Sequence, residues 1–400
     1  MFGNAFLSRK TESAQLAVTN GINTQTLPRM PTLAKSPRAN HLPLNLAFLL
    51  TGVATALLGA ALPVMLKEWH LTDTTGGSLL LLAWGGSTCG ALLFRGNLRR
   101  SSAAGLLVTA LSMLALAALD RSAALPLFAF YGLGLGIAMT AITLLSSQGA
   151  SETARNRIMM RLNLLWSIGA CVAPTLATHA LTHTRVGSLF TTMGLVFCAA
   201  AIAVSFSGKE TTANTAADNT SHLKIAPLAL YAVAFLAVGV ESAIGGWLTT
   251  YAGRTAHTEL ITISATSAFW VGLLLSRALH SVSTMRWLQS APALIAHAAI
   301  AALASATLLA APHSAAFLPS ALLAGFGLGP LYPRVLAMVV GTYKPRAIFI
   351  VAGVGSAAMP WLTGTLSHAA GSLGFGMLVP CAGAAALLLM MLSRPHTAAI

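Results

Sequence analysis

Apolar residues run along this chain in blocks of about 20, the length an α-helix needs to cross the hydrocarbon core of a bilayer. Short polar intervals separate the blocks. Measured against that length, spanning helices are predicted at 44–66, 77–94, 102–119, 123–147, 158–181, 187–206, 226–252, 260–279, 290–311, 315–340, 346–368 and 373–392. The longest polar interval inside the series, SGKETTANTAADNTSHLK (207–224), divides these twelve into six and six. The organisation expected is therefore a tail over 1–42, a six-helix bundle over 43–206, a linker over 207–224 and a second bundle over 225–400.

Composition agrees with that pattern. Hydrophobic residues make up 56% of the 400 and charged residues only 8%, with a mean hydropathy of +0.76, whereas a soluble domain carries about a quarter charged residues. The chain is expected to be an all-α integral membrane protein.

Lys and Arg number 23 against 9 acids, but they are scattered between apolar blocks rather than gathered into the patch that nucleic acid requires. With the amino terminus in the cytoplasm, all but Lys67, Arg121, Arg185 and Arg254 fall on the cytoplasmic side. The positive-inside rule thus predicts a multi-pass protein of the inner membrane with both termini cytoplasmic. The tail lacks the apolar core of a signal peptide and reads as disordered, with Met30 a second candidate start. Cys89, Cys171, Cys198 and Cys381 all lie in apolar runs without CxxC spacing and read as small core residues.

The two halves repeat each other. GALLFR (90–95) at the end of the second span returns as GLLLSR (272–277) at the end of the eighth. GLGLG (132–136) in the fourth returns as GFGLG (325–329) in the tenth, and GACVAP (169–174) in the fifth as GSAAMP (355–360) in the eleventh. Three matches in one order, at equivalent spans, indicate a duplicated six-helix unit. Two parallel six-helix repeats about an axis along the membrane normal are the architecture of major facilitator transporters, whose substrate site lies near the midplane between the halves.

Within that superfamily, the local sequence resembles the sugar-permease branch that contains the fucose:proton symporter and bacterial glucose/mannose permeases. The stretches that carry the resemblance are TGVATALLGAALPVMLKEWHLTD (51–73), RLNLLWSIGACVAP (161–174), VGVESAIGGWLTTYA (238–252), FWVGLLLSR (269–277) and AGFGLGPLYPRVLAM (324–338). It extends from about 44 to 392 and implies transport by alternating access. The superfamily's gating loop, similar to G-x-L-x-D-R-x-G-R-R, is matched at Gly90, Arg95, Gly96, Arg99 and Arg100, but Phe94 stands at the Asp position. By the same resemblance Gly90, Arg95, Arg99, Arg100 and Arg277 are expected to latch a cytoplasmic gate. The carboxylates that fucose permeases carry in their first and fourth spans are missing from 44–66 and 123–147.

Glu241 is the one carboxylate in the seventh span, about 23 Å from its cytoplasmic end at 1.5 Å per residue. A carboxylate at mid-membrane costs about 2.5–3.5 kcal/mol on insertion scales and as a rule faces the bundle interior on an ion or substrate path. Burial disfavours its charged form unless a cation stands near. It is expected to carry a coupling proton or to accept hydrogen bonds from substrate, the alternative being a protonated acid that only joins helices. Gly245, at i+4, and the GG pair at 245–246 predict space or a local break beside it, while Trp247 and Tyr251 read as an outer interfacial belt.

A sugar presents apolar C–H faces and a rim of hydroxyls, so an aromatic platform beside amide and acid groups suits it. Asn163 and Trp166 share one stripe of the fifth span, and Asn163 also falls in the RLN stretch of the resemblance. Gln148, Trp84 and Trp270 complete the expected substrate-binding set with Asn163, Trp166 and Glu241, Trp84 and Trp270 being matched positions of the two halves. His297 in the ninth span reads as a packed neutral histidine, and His179 with His183 as a chance pair.

No nucleophile–base constellation, HExxH, GxSxG or GxxxxGK[ST] occurs, so neither an enzyme nor an ATP-driven pump is expected. The reading is a secondary transporter of a small polar solute, a monosaccharide favoured, coupled to a proton through Glu241. That proton is the sole cofactor expected, and the expected partners are substrate and bilayer for a monomer, without metal or nucleic acid. A lipophilic-cation or multidrug exporter of the same fold is one alternative. A membrane sensor or scaffold is another.

Overall fold

The computed structural model describes residues 42–94, 96–119, 121–148, 152–207, 225–255, 258–282, 286–339, 343 and 345–393. Residues 1–41 of the predicted tail, most of the 207–224 linker and the gating-loop Arg95 lie outside these residues.

The first half contains α1 (Leu42–Glu68), α2 (Asp73–Leu93), α3 (Leu98–Ala118), α4 (Ala124–Ser147), α5 (Glu152–His183) and α6 (Val186–Ser205). The second contains α7 (Leu228–Arg254), α8 (Glu259–Val282), α9 (Ala291–Ala310), α10 (Phe317–Leu328), α11 (Leu331–Val339), α12 (Pro345–Ala370), α13 (Leu373–Gly376) and α14 (Leu378–Leu392). Among the described residues they supply twelve helical spans long and apolar enough to cross a membrane. α10 with α11 makes the tenth and α13 with α14 the twelfth. The protein is an all-α, multi-pass membrane protein.

Local chemistry sets several boundaries. Thr72 caps α2 by accepting a hydrogen bond from the Thr75 amide at 3.2 Å, and Asn97 caps α3 by accepting one from the Arg100 amide at 3.0 Å. Each side chain satisfies one amide that a helix start leaves unpaired. The cap at Thr72 starts the second helix four residues earlier than the hydrophobic run, which brings Asp73 into it. The tenth span breaks at Gly329–Pro330 because proline has no amide to continue the ladder. Gly371, at φ +66°, turns the chain out of α12 in the left-handed conformation that glycine adopts without strain.

Close helix crossings reveal the repeat. A Cβ on Gly86 or Gly132 would collide with the carbonyls of Ala129 and Ala83 where α2 crosses α4. In the second half, a Cβ on Gly272 or Gly325 would collide with those of Leu322 and Phe269 where α8 crosses α10. Likewise Gly169 lies on the Leu49 carbonyl between α5 and α1, and Gly355 on that of Phe235 between α12 and α7. Small residues at such crossings let backbones approach, which is how apolar helices gain packing in lipid.

These pairs also correct one register. The fourth–tenth and fifth–eleventh matches stand as read from the sequence, but Gly272 is the counterpart of Gly86, not of Gly90. The second and eighth spans therefore align one helical turn away from the GALLFR/GLLLSR match. Arg277 occupies the position of Ala91 and lies one turn deeper in its helix than Arg95 does in the first half.

The halves meet through α2 against α12, α5 against α8, and α1 against α7. Gly59 and Gly245, equivalent residues of the repeat, lie on each other at the α1–α7 crossing. That crossing marks the pseudo-two-fold axis.

Candidate functional site

Four of the residues singled out by sequence lie close to the midpoints of their helices: Trp84 in α2, Trp166 in α5, Glu241 in α7 and Trp270 in α8. Three tryptophans converge beside the axis. A Cβ on Gly245 would come within 2.8 Å of the Trp270 ring, and one on Gly246 within 3.0 Å of Trp84. The GG pair therefore does not break the helix; α7 is continuous from Leu228 to Arg254, and the glycines are where Gly59 and two indoles close on it. Trp166 and Trp270, from opposite halves, pack edge to face with ring centroids 5.7 Å apart at 80°. Phe269 backs Trp270 at 5.4 Å.

Trp270 is 5% exposed, and the Nε1 atoms of both Trp166 and Trp270 are buried without a hydrogen-bond partner among the described residues. A buried indole N–H ordinarily finds an acceptor. Two such donors where the halves meet supply what a ligand oxygen needs.

One turn from Gly245, Glu241 is held by Arg277: Nη2 donates to Oε2 at 2.9 Å, and Nε donates to the Gly329 carbonyl at 3.3 Å. The side chains are 12% and 22% exposed. Glu241 thus has the nearby cation that its depth demands, and the cation is a residue expected in the gate. The register correction is the physical reason. One turn deeper in α8, a long arginine side chain reaches the centre of α7.

The other expected residues are more dispersed. Asn163 sits one turn from Trp166 toward the face where α1 begins and α14 ends, and it is exposed. Gln148 is the exposed C-cap of α4 at that same face. Gly90 is buried against the Leu133 carbonyl of α4, a helix-crossing contact. Arg99 and Arg100 lie in the first turn of α3, Arg100 exposed. Trp247 and Tyr251 are not a belt at the bilayer surface: both are buried, Trp247 donating to the Pro360 carbonyl at 2.9 Å and Tyr251 to that of Leu308 at 3.3 Å.

At the opposite face the structure shows a feature the sequence reading missed. Arg254, ending α7, makes a bidentate pair with Asp73, opening α2, at 2.6 and 2.7 Å, and Ser367 of α12 donates to the same carboxylate. Gly364 packs on the Asp73 backbone and Gly77 on that of Trp361. The halves are latched there. In sequence Arg254 was one of only four cations assigned to that side and Asp73 lay just outside the predicted span, which marks each residue but not their pairing.

Comparison with known proteins fits this architecture. The family model described as Major Facilitator Superfamily matches residues 44–350. The chain belongs to that superfamily. A search of curated protein sequences finds no match. Among solved structures, a D-xylose-proton symporter superposes with a TM-score of 0.64 at 14% identity, covering 87% of this chain and 96% of the symporter. A mutant of the nucleoside transporter NupG gives 0.69 at 11% identity, covering 88% and 98%. An inward-facing, occupied bacterial homologue of the lysosomal transporter Spinster gives 0.64 at 13% identity, covering 88% and 92%. At these identities the likeness is one of fold, and the finer placement in a sugar-permease branch stays a resemblance.

For a major facilitator protein the latch has a direct consequence. Opening that face requires Asp73 and Arg254 to separate, at a cost set by a bidentate charge-assisted pair. Asp73→Asn is expected to shift the population toward the open state there, seen as faster maleimide labelling of a cysteine placed at Ser367. Unchanged labelling would show that the pair carries no closing energy.

Proposed function

We propose that the protein is a secondary active transporter moving a small polar solute, a monosaccharide favoured, across the inner membrane by alternating access. Both termini lie in the cytoplasm by the positive-inside distribution, so the Asp73–Arg254 latch closes the outer face. The observation that carries the reading is the pair of unpartnered indole donors, Trp166 and Trp270, between the halves. Ring faces stack on the C–H surface of a sugar, and the N–H groups bond its oxygens. Similarity in fold to a D-xylose-proton symporter and a nucleoside transporter supports a ring-bearing polar solute.

Proton coupling runs through Glu241 in this reading. A proton on Glu241 weakens its attraction for Arg277, whose Nε stays on the Gly329 carbonyl, so the pair has two charge states that a gradient can bias. The exporter alternative loses ground for the same reason, because an acid already neutralised by Arg277 is a poor anchor for a lipophilic cation.

Thermal stabilisation of the purified protein tests the binding claim, since a ligand that binds only the folded state raises Tm. A monosaccharide is expected to stabilise the wild type and tetraphenylphosphonium is not. Trp166→Phe and Trp270→Phe keep the ring and lose the donor, and each should weaken sugar affinity about tenfold, one hydrogen bond of about 1.4 kcal/mol. Stabilisation by the cation alone supports an exporter, and by neither a sensor or scaffold.

A further inference from the structure

A cavity of about 330 Å³ opens at one end of the first half, away from the midplane tryptophans. Its lining comes from the ends of spans. Glu68 closes α1 and Trp69 follows it, Leu116 is in the last turn of α3 and Leu119 is its C-cap, Arg121 lies in the short turn before α4, and Ala124 opens α4. By the orientation proposed above, these ends stand at the outer surface of the bilayer. Two opposite charges face the cavity and do not pair with each other. Arg121 Nη1 donates to the Trp69 carbonyl at 3.0 Å, and Glu68 Oε2 accepts from the Val186 amide, at the start of α6, at 3.4 Å. A guanidinium has five N–H donors and a carboxylate about four acceptor sites, so each keeps most of its capacity for a ligand.

We infer that this cavity binds the headgroup of a zwitterionic phospholipid with a primary ammonium, a phosphatidylethanolamine, its phosphate on Arg121 and its ammonium on Glu68. An acid and a guanidinium held apart in one cavity match a ligand that carries both charges itself. The distribution of cations favours the phosphate. Of the four Lys and Arg residues assigned to the outer side, Arg121 lines the cavity, Lys67 adjoins Glu68 and Arg185 adjoins Val186, leaving Arg254 alone elsewhere. Asp120, beside Arg121 in sequence, lies outside the described residues.

Depth points to a lipid rather than a dissolved solute. The lining stands where spans end, which is the level of the headgroups, and an indole at that level is the usual interfacial anchor. Trp69 is fixed there against Phe190, with ring centroids 6.2 Å apart. Leu119, 57% exposed, offers with Leu116 and Ala124 an apolar wall for the glycerol and first acyl carbons. The ammonium must be primary, because its N–H groups can donate to the Glu68 carboxylate and a trimethylated nitrogen has none to give.

The test needs no transport substrate, so its failure is distinct from failure of the transport reading. Full-length protein, delipidated in detergent, is titrated with dioleoyl phosphatidylethanolamine, phosphatidylcholine and phosphatidylglycerol, and the first bound lipid is measured by native mass spectrometry. The ethanolamine lipid is expected to bind about tenfold more tightly than either of the others, the factor that one charge-assisted hydrogen bond supplies. Glu68→Gln should erase that preference while binding persists, and Arg121→Gln should weaken all three lipids. Both residues are exposed, so both variants are expected to keep the wild-type Tm. Glu259→Gln, which removes an exposed acid from the first turn of α8 instead, should change nothing. Equal binding of the three lipids by the wild type, an ethanolamine preference that survives Glu68→Gln, or unchanged binding in Arg121→Gln overturns the inference. Displacement of the lipid by glycerophosphoethanolamine at matching concentration overturns the lipid as occupant and assigns the cavity to a dissolved zwitterion.

Discussion

Arg277→Gln is expected to destabilise the purified protein by about 3–5 kcal/mol, and adding Glu241→Gln to it is expected to restore most of the loss. Removing one partner of a buried ion pair leaves the other charge desolvated and uncompensated. Glu241 is 12% exposed at the centre of α7. The cost should shrink as pH falls, because the stranded carboxylate then escapes by binding a proton. Glu241→Gln alone should be far milder, since a glutamine carbonyl still accepts from Arg277, which keeps its bond to Gly329. A double-mutant cycle of thermal or denaturant midpoints reads all three. Additive losses would show that the two residues do not act as a pair.

Gly59→Leu is expected to abolish transport, at least about a hundredfold, while leaving each half folded. A side chain here has nowhere to go: even a Cβ collides with the Gly245 backbone at the crossing of α1 and α7. The clash lies between the halves, so it is relieved by parting them. Gly132→Leu offers the contrast, because its Cβ collides with the Ala83 carbonyl inside one half, where overpacking is relieved only by disrupting the bundle. Transport and Tm measured on both variants should therefore separate, with Gly59→Leu stable but inactive and Gly132→Leu poorly folded. Equal losses of stability would remove the distinction between hinge and core.

Hydropathy alone made the twelve spans legible, because bilayer thickness sets their length, and the glycine motifs made the repeat legible because close crossings admit little else. What failed was finer. GALLFR and GLLLSR match in composition one turn away from their structural register, so nothing in the sequence indicated that the Arg277 guanidinium reaches Glu241. The midplane tryptophans were visible as large residues at matched positions, but the pairing of Trp166 with Trp270 depends on how α5 meets α8. The Asp73–Arg254 latch joins residues 181 apart in sequence, and no local pattern announces such a pair. Trp247 and Tyr251 were misread because an aromatic near a helix end looks the same whether it meets headgroups or a neighbouring carbonyl.

The most direct measurement is uptake of labelled hexose into proteoliposomes, with and without an imposed proton gradient, for the wild type and Glu241→Gln. The account predicts accumulation driven by the gradient in the wild type, and in the variant exchange of sugar without accumulation. Absence of hexose movement in both, with the protein folded, would contradict it.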